Sequence, residues 1–318
     1  MSRIYEALQK AESERKPERR EEESRIPEPA PGVETRLKTA VAEAEYSPVF
    51  ASPVAAAAVY TEPAMRGYDG DALDLSTLVP RPWSPSLTQL PALLERGSGV
   101  EQFRSLRSRI YELRDMNPLK SILVTSGMPQ EGKSFISANL AISLTKHKNS
   151  KVLLIDGDMR RYTLHQILGC ESHPGLADYL AGKATPVEVM QRAEQSTETS
   201  RAGKSVLPNL TFIAGGNGGD KAADLSGSQR FGELIRLAAP HFDWIIVDSS
   251  PVVPVSDAVN LARSCDGVLL VARGGVTRFP IAQRAQSEMK ASNVLGFVLN
   301  AVHDIPQNVG YYGYDATK

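Results

Sequence analysis

Residues 127–134 of the 318-residue chain read Gly-Met-Pro-Gln-Glu-Gly-Lys-Ser, which fits the pattern G-x-x-x-x-G-K-[ST]. An apolar run over residues 122–124 precedes this segment, and a helical pattern over residues 135–144 follows it. In this order of strand, loop and helix, the backbone N–H groups of the loop surround phosphate groups. The sequence therefore predicts a phosphate-binding loop for a nucleoside triphosphate. Its candidate nucleotide contacts are Gly127, Gln130, Glu131, Gly132, Lys133, Ser134 and Phe135.

The loop lies within an alternation of strand and helix patterns. Near-continuous apolar runs predict strands at residues 120–125, 151–155, 210–214, 243–247, 267–272 and 294–299. Helical patterns lie at residues 100–116, 134–147, 175–182, 228–239, 256–264 and 279–292. Apolar strands that alternate with helices are typical of a parallel sheet covered on both faces. We therefore predict an α/β fold of the P-loop NTPase type, with a mostly parallel sheet and helices on both faces.

Acidic residues follow two of the predicted strands, at the sheet edge where open α/β folds bind ligands. Asp156 and Asp158 follow one strand, and Asp248 follows another. Carboxylates beside a phosphate loop suit Mg²⁺, so Ser134, Asp156 and Asp248 are candidate ligands of a metal ion. Because three carboxylates exceed what one ion needs, Asp156 or Asp158 can orient or deprotonate an attacking hydroxyl. The alternative is that these aspartates cap turns or helices, which is a common role of Asp.

Arg160 and Arg161 come directly after the first acidic motif. They are candidates to stabilise the charge of a transferring phosphoryl group or to bind an acidic neighbour. The alternative is a solvated basic pair, and the sequence favours neither interpretation. Arg160 joins Lys133, Asp156 and Asp158 as a candidate catalytic residue.

The N-terminal part of the chain differs from this domain. Three apolar residues at helical spacing predict a short amphipathic helix within residues 1–20. It is either a frayed surface helix or a docking helix for a partner. Eleven of the 21 prolines fall within residues 1–95, so we predict a disordered linker over residues 21–95. The domain is then expected over residues 96–303, with a polar insertion at residues 195–207.

Composition limits the partners and the compartment. The net charge of −1 and the pI of about 6.6 give no drive towards nucleic acid. Two cysteines, Cys170 and Cys265, without CxxC spacing favour a reducing compartment and no disulfide framework. We see neither an apolar leader nor a run of the roughly 20 residues that a spanning helix needs. The expected location is the cytoplasm, with any membrane association through a partner.

Two features distinguish this chain among nucleotide-binding proteins. The predicted flexible tail, residues 304–318, contains Tyr311, Tyr312 and Tyr314, which are possible phosphate acceptors or parts of a docking tail. Glu101, Arg104 and Arg107 recur at i, i+3 and i+6 along one helix flank. These three residues form either a surface row of ion pairs or a charged interface to a neighbouring subunit.

With these motifs in view, residues 101–314 resemble the bacterial tyrosine kinases (BY-kinases) of capsule and exopolysaccharide systems. The likeness rests on the phosphate loop, both acidic motifs, Val298-Leu299-Asn300 and the tyrosine tail. Glu101, Arg104 and Arg107 match the E-x-x-R-x-x-R oligomerisation motif of that family. The start of the chain, Met-Ser-Arg-Ile-Tyr-Glu-Ala-Leu, is similar to the start of kinases linked to exopolysaccharide operons.

The resemblance implies an ATP- and Mg²⁺-dependent protein-tyrosine autokinase that regulates capsular or exopolysaccharide synthesis or export. It also implies a ring-like homo-oligomer in which the tail of one subunit enters the site of the next. The implied partners are the cytoplasmic segment of a membrane chain-length regulator, which would recruit the protein to the inner face of the plasma membrane, and a cognate tyrosine phosphatase. Nucleic acid is not an expected partner.

Some positions depart from the family pattern. Gln130 stands where the family usually has Gly, so we expect a negative φ at that residue. Tyr162 and Ser250 each replace a usual Pro, and residues 216–221 replace an Asn-Pro segment. Two other functions stay open on the residues alone. One is a partitioning or septum-positioning ATPase of the P-loop class, and the other is an ATP-binding scaffold without kinase activity.

Overall fold

The computed structural model describes residues 73–194, 207 and 209–302. The predicted helix within residues 1–20, most of the 21–95 linker and nearly all of the polar insertion lie outside these residues. The tail, with Tyr311, Tyr312 and Tyr314, also lies outside them.

An eight-stranded sheet forms the centre of the described domain. Its strands are β1 (Pro80–Arg81), β2 (Ser121–Ser126), β3 (Val152–Asp156), β4 (Met190–Ala193), β5 (Leu210–Ile213), β6 (Trp244–Asp248), β7 (Gly267–Arg273) and β8 (Val294–Asn300). The strand order is β1-β4-β5-β3-β6-β2-β7-β8. Strands β5, β3, β6, β2, β7 and β8 are parallel, whereas β4 runs antiparallel to β5 and parallel to β1. The prediction of a mostly parallel sheet is confirmed.

Helices connect the strands and cover the sheet. They are α1 (Ser98–Met116), α2 (Lys133–Thr145), α3 (Leu164–Leu168), α4 (Leu176–Leu180), α5 (Pro186–Val189), α6 (Ala222–Ser226), α7 (Gln229–Ala238), α8 (Asp257–Ala262) and α9 (Phe279–Glu288). Short 3₁₀ turns lie at Leu75–Thr77, Pro91–Leu93 and Gly219–Lys221. The six predicted strands and six predicted helices are all present. The helix predicted to residue 292 ends at Glu288.

The two faces of the sheet each carry a hydrophobic core, because side chains of a strand alternate between its faces. One core contains Leu123, Phe231 and Leu261 and packs α4, α7, α8 and α9 against the sheet. The other contains Val124 and Leu140 and packs α1, α2 and α3. The central strands are buried along their whole length, which explains their near-continuous apolar sequences.

The linker prediction is wrong at its C-terminal end, because residues 73–95 pack against the domain. Strand β1 pairs with β4, and Leu90 is fully buried among residues of α1 and α2. Ser84 N–H donates to the Gly169 carbonyl at 3.0 Å. Strands β1 and β4 have two and four residues, so neither gives a periodic apolar run that sequence reading could detect. Across the described residues, no helix combines the length and hydropathy that a membrane span needs.

Candidate active site

The phosphate loop connects β2 to α2 and closes on a glycine that the geometry requires. Gly132 has a φ of 96°, and a Cβ atom there would lie 1.9 Å from Nδ2 of Asn300. Gly132 is also the N-terminal cap of α2, so Lys133 and Ser134 form the first helical positions. Free N–H groups at the start of a helix favour an anion. The structure therefore gives the predicted loop the strand–loop–helix geometry that phosphate binding needs.

Gln130 does not adopt the backbone conformation that we expected. Its φ is 64°, in the left-handed region, so the expectation of a negative φ is wrong. This backbone conformation raises the conformational free energy of an L-residue by roughly 1 kcal/mol or more, whereas glycine adopts it without that strain. The loop keeps the geometry that glycine would give and accepts the strain of a side chain at this position.

The two acidic motifs meet because their strands are neighbours in the sheet. Asp156 on β3 pairs in register with Asp248 on β6. The backbones come close just beyond this pair, where Gly157 N–H donates to the Asp248 carbonyl at 2.9 Å. A Cβ at Gly157 would lie 2.6 Å from that oxygen, so no other residue fits there without a shift. The separate sequence motifs thus form one acidic group beside the phosphate loop.

Lys133 is the cation among these carboxylates. Its Nζ lies 3.0 Å from Oδ2 of Asp158, and both side chains are largely buried. Burial by itself would lower the pKa of Lys133, but the carboxylates of Asp248, Asp158 and Asp156 outweigh it and raise the pKa. Lys133 is therefore held charged at the position from which a phosphate-binding lysine acts.

Asp156 is more deeply tied to the backbone than Asp158. Its Oδ1 accepts the Asp158 N–H at 3.2 Å, and its Oδ2 accepts the Leu164 N–H at the start of α3 at 3.1 Å. Burial and the neighbouring Asp248 raise the pKa of Asp156 well above its ordinary value. The capping role that sequence left open is thus observed for Asp156. Asp158 accepts one backbone N–H, that of Arg161 at Oδ1, and also lines the cleft described below.

Asp248 offers an oxygen that suits a cation. Ser137 Oγ donates to its Oδ1 at 3.1 Å, whereas Oδ2 is buried and has no hydrogen-bond partner among the described residues. The hydroxyl of Ser134 lies close enough to the Asp248 carboxyl to lower its pKa, although the two groups form no hydrogen bond of good geometry. Burial raises the pKa of Asp248, and the charge of Lys133 opposes that rise.

A nucleotide-bound Mg²⁺ fits this arrangement. Such an ion usually needs only one or two carboxylates, because phosphate oxygens and waters complete its shell. Within the described residues no group of three or more acidic, histidine or cysteine side chains is arranged around a metal position. The uncompensated Oδ2 of Asp248 and the hydroxyl of Ser134 are the candidate protein ligands, and Asp156 has both carboxylate oxygens already occupied by N–H groups.

Arg160 binds an acidic neighbour that sequence reading did not identify. Its Nε donates to Oδ2 of Asp257 at 2.7 Å, and its Nη2 donates to Oδ1 at 3.3 Å. Asp257 is buried at the first position of α8, and its carboxylate raises the pKa of Arg160. The guanidinium therefore binds Asp257 through two nitrogens, and the solvated-pair interpretation is wrong for Arg160. Arg161 follows with an exposed side chain.

A cleft of about 490 Å³ opens over the loop and the acidic group. It is lined by Pro129, Gln130, Gly132, Lys133, Ser134, Phe135, Asp158, Arg160, Arg161, Thr163, Ser250, Pro251, Pro254 and Val255. Of the predicted nucleotide contacts, five lie in this lining and two, Gly127 and Glu131, do not. The Glu131 carboxylate accepts the Met128 N–H at 2.9 Å and a hydrogen bond from the hydroxyl of Thr277.

The predicted interface residues lie on α1. Glu101 and Arg104 form an exposed ion pair of 2.6 Å. Arg107 donates instead to the Ser143 carbonyl on α2 at 2.8 Å, and burial lowers the pKa of its guanidinium. Arg107 thus fastens α1 to α2. The subunit interface stays a prediction.

Sequence reading missed several residues that shape the site. Ser137, Asp257, Thr277 and Asn300 all contact predicted site residues. Ser137 lies one helical turn beyond Lys133, so helical spacing could have indicated it. The other three lie on elements distant in sequence. Asn300 ends a segment that carries the family resemblance, but no local pattern indicates its contact with the loop, and none marks Asp257 or Thr277.

A parallel sheet, a loop of this shape and a lysine facing strand-end aspartates define a P-loop nucleotide-binding protein. No model of a protein family matches the chain. The chain is 33% identical over 223 residues to tyrosine-protein kinase Wzc of Salmonella typhimurium, covering 68% of this chain and 29% of Wzc. It is 30% identical over 216 residues to the putative tyrosine-protein kinase CapB of Staphylococcus aureus, covering 67% and 89% of the two chains.

Solved structures agree with these relatives. The kinase domain of the Escherichia coli tyrosine kinase ETK matches with a TM-score of 0.56 and 30% identity, covering 68% of this chain and 81% of that domain. The chimerical protein CapA2B2 matches with a TM-score of 0.60 and 26% identity, covering 68% and 90%. The chain therefore belongs to the family of bacterial tyrosine kinases. It spans 29% of the length of Wzc and most of the length of CapB.

Proposed function

We propose that the protein is a Mg-ATP-dependent tyrosine autokinase that transfers the γ-phosphoryl group to tail tyrosines of a neighbouring subunit. The observation that carries this proposal is the ion pair of Lys133 with Asp158 in the cleft above the phosphate loop, with the buried Asp248 near enough for its charge to raise the pKa of Lys133. Membership of the bacterial tyrosine-kinase family supports the choice of tyrosine as acceptor. The resemblance to the kinases of capsule and exopolysaccharide systems supports a role in capsular or exopolysaccharide synthesis or export.

Phosphate binding falls to the loop amides and Lys133. Nζ of Lys133 is paired with Oδ2 of Asp158 at 3.0 Å. A triphosphate offers Lys133 more negative charge than one carboxylate does, so its binding would draw Nζ towards the phosphates and release Asp158. Ser134 and Asp248 would hold Mg²⁺, which neutralises charge on the phosphates.

Asp158 is the better candidate for the carboxylate that orients the acceptor hydroxyl. It lines the cleft, whereas Asp156 is fully buried and accepts two backbone N–H groups. In the proposed step, the tyrosine oxygen forms a bond to the γ-phosphorus as the bond to the ADP oxygen breaks. The hydroxyl proton passes to Asp158, and no other co-reactant is needed.

The assembly and its partners follow the same proposal. Tyr311, Tyr312 and Tyr314 are the proposed acceptors, and Glu101, Arg104 and Arg107 would contribute to a ring of subunits. Recruitment to the inner face of the plasma membrane would come from the cytoplasmic segment of a chain-length regulator. A cognate tyrosine phosphatase would remove the phosphate.

Transfer of label from γ-labelled ATP tests the proposal. We expect wild-type protein to become labelled on tyrosine, alone or with the cytoplasmic segment of its partner. Lys133→Met should reduce labelling by at least about 100-fold, because it removes a buried charge aimed at the phosphates. Changing Tyr311, Tyr312 and Tyr314 to Phe together should abolish labelling without changing ADP binding.

Other outcomes favour the rival functions. Release of inorganic phosphate without labelled protein would favour a P-loop ATPase of the partitioning type. Nucleotide binding with neither labelling nor phosphate release would favour a scaffold. If the triple Tyr→Phe variant is labelled as well as wild type, the tail is not the acceptor.

A further inference from the structure

Glu131 is a buried acidic residue of the phosphate loop, and its side chain does not reach the cleft where a nucleotide would bind. Its side chain is 3% exposed and does not line the cleft. Oε2 accepts the N–H of Met128 at 2.9 Å, within the same loop. Oε1 accepts the hydroxyl of Thr277, which lies in the turn between β7 and α9. The carboxylate therefore joins the loop to a part of the domain on the side away from the cleft.

The backbone of Glu131 has a second attachment. Asn300, the last residue of β8, donates from Nδ2 to the Glu131 carbonyl at 3.0 Å. Thr277 is itself fixed, because its hydroxyl oxygen accepts the Arg273 N–H at 2.8 Å. Neither Thr277 nor Asn300 lines the cleft. Two anchors from separate elements thus hold one loop residue by its side chain and by its carbonyl.

The anchored residue lies between two unusual backbone conformations. Gln130 has a φ of 64° and Gly132 a φ of 96°. A strained conformation of a residue other than glycine persists only where the surrounding structure holds it. The attachments of Glu131 supply that restraint at the neighbouring residue. They are a physical reason why this loop tolerates Gln130.

We infer that Glu131, Thr277 and Asn300 are positioning residues that hold the phosphate loop in the conformation that binds nucleotide. Their side chains act through the loop and do not touch the ligand. If the restraint is lost, the loop spends part of its time in other conformations, and apparent affinity falls in proportion to the population that remains competent. The inference rests on nucleotide binding by this loop, which is part of the proposed function.

Thr277→Val and Thr277→Ser form a matched pair that tests the side-chain anchor in the full chain. Valine has nearly the same shape but no hydroxyl, so a buried carboxylate oxygen loses its donor. Serine keeps the hydroxyl. We expect the dissociation constant of ADP, measured by calorimetry, to rise about tenfold in Thr277→Val, which corresponds to about 1.4 kcal/mol. Thr277→Ser should bind within about twofold of wild type.

Thr145→Val is the control for removal of a buried hydroxyl. Thr145 lies at the far end of α2, and its Oγ1 donates only to the Ile142 carbonyl in its own helix at 2.8 Å. Its variant should bind ADP as wild type does. Asn300→Asp tests the second anchor independently, because it replaces the donor with an oxygen that repels the Glu131 carbonyl. It too should raise the dissociation constant about tenfold, by the same population argument.

Three results would overturn the inference. The first is that Thr277→Val and Asn300→Asp both bind ADP within about twofold of wild type. The second is that Thr277→Ser loses as much affinity for ADP as Thr277→Val, and the third is that Thr145→Val loses as much as Thr277→Val. A structural effect alone would lower the unfolding temperature without changing affinity at a temperature where the variant is folded. The readout is binding and not labelling, so a protein that binds ADP but never labels tyrosine would contradict the proposed function and leave this test intact.

Discussion

Asp156 and Asp248 face each other in register on β3 and β6, and both carboxylates are fully buried. Asp158 adds a third carboxylate and pairs with Lys133, whose pKa is also raised by the charges of Asp248 and Asp156. Burial raises the pKa of both Asp156 and Asp248, which means that their charged forms are disfavoured in the folded protein. A cation bound with its nucleotide would offset the free-energy cost of these buried charges. Without it, the site lowers the free energy of unfolding of the protein.

Asp248→Asn is expected to stabilise the nucleotide-free protein, because burial disfavours the charged form of this carboxyl. The amide can keep the bond from Ser137 at Oδ1 and removes a buried charge beside Asp156. The same change should abolish the extra stabilisation that Mg-ADP gives, because the metal ligand is lost. Thermal unfolding with and without Mg-ADP measures both effects. Equal stabilisation of both proteins by Mg-ADP would exclude Asp248 as a metal ligand.

The pH dependence of this variant has a defined sign. Groups with a raised pKa hold more protons in the folded than in the unfolded protein above the ordinary value of 3.8. The stability that they contribute is therefore complete below that value and is lost as pH rises through the raised pKa values. The stability advantage of Asp248→Asn over wild type should grow over that pH range. A constant difference between the two proteins would contradict the assignment.

Substitutions at Gln130 separate strain from side-chain contact. Its φ of 64° disfavours a β-branched residue strongly and glycine not at all. We expect Gln130→Val to lose about 1–2 kcal/mol of stability, and Gln130→Gly to be neutral or gain up to about 1 kcal/mol. Chemical denaturation of the two variants compares them directly. If both are equally stable, the loop has another conformation in solution.

At the scale of elements, residues 73–97 form a strap that begins before α1 and crosses α2 and α3. Trp83 packs edge-on against Phe212, with ring centroids 6.2 Å apart. Asn139 in α2 is fully buried and fastens the strap with its amide, donating to the Gln89 carbonyl at 2.9 Å and accepting the Ala92 N–H at 3.0 Å. A buried polar side chain of this kind fixes which segment packs on the helix.

Asn139→Ala should lower the free energy of unfolding by about 3 kcal/mol, because it leaves buried backbone groups of the strap without partners. Urea denaturation measures the loss. Asn293→Ala is the matched control, since the Asn293 amide donates to the Asp266 carbonyl at an exposed position. The control should change stability by about 0.5 kcal/mol or less. Similar losses in the two variants would mean that the strap is not held by Asn139.

For the molecule as a whole, the strap moves the boundary of the described domain to the N-terminal side of residue 96. A protein truncated to begin at residue 73 should unfold at the same temperature as the domain within the full chain. One truncated to begin at residue 97 should lose at least about 3 kcal/mol, because it removes the fully buried Leu90 from the core. Thermal unfolding of both distinguishes them. Equal stability would show that the strap adds nothing to the fold.

Much of the fold was predictable because its signals are local. Buried parallel strands are continuous apolar runs, so β2, β3 and β6 were each predicted to within one residue at either end. Strands β1 and β4 were not predicted, because two to four residues carry no period. Strand β1 is part of the strap, and it pairs with β4, so both strands depend on how the strap packs against the domain.

The sequence by itself determined the parallel sheet, the phosphate loop and the presence of aspartates at two strand ends, since each is a short pattern with one physical meaning. Tertiary structure alone decided what the side chains do. Arg160 pairs with Asp257, 97 positions away, and Glu131 binds Thr277, 146 positions away. Asp156 is fully buried and accepts two backbone N–H groups, whereas Asp158 accepts one and lines the cleft. Such roles depend on which distant groups the fold brings within hydrogen-bond distance, and no local spacing encodes them.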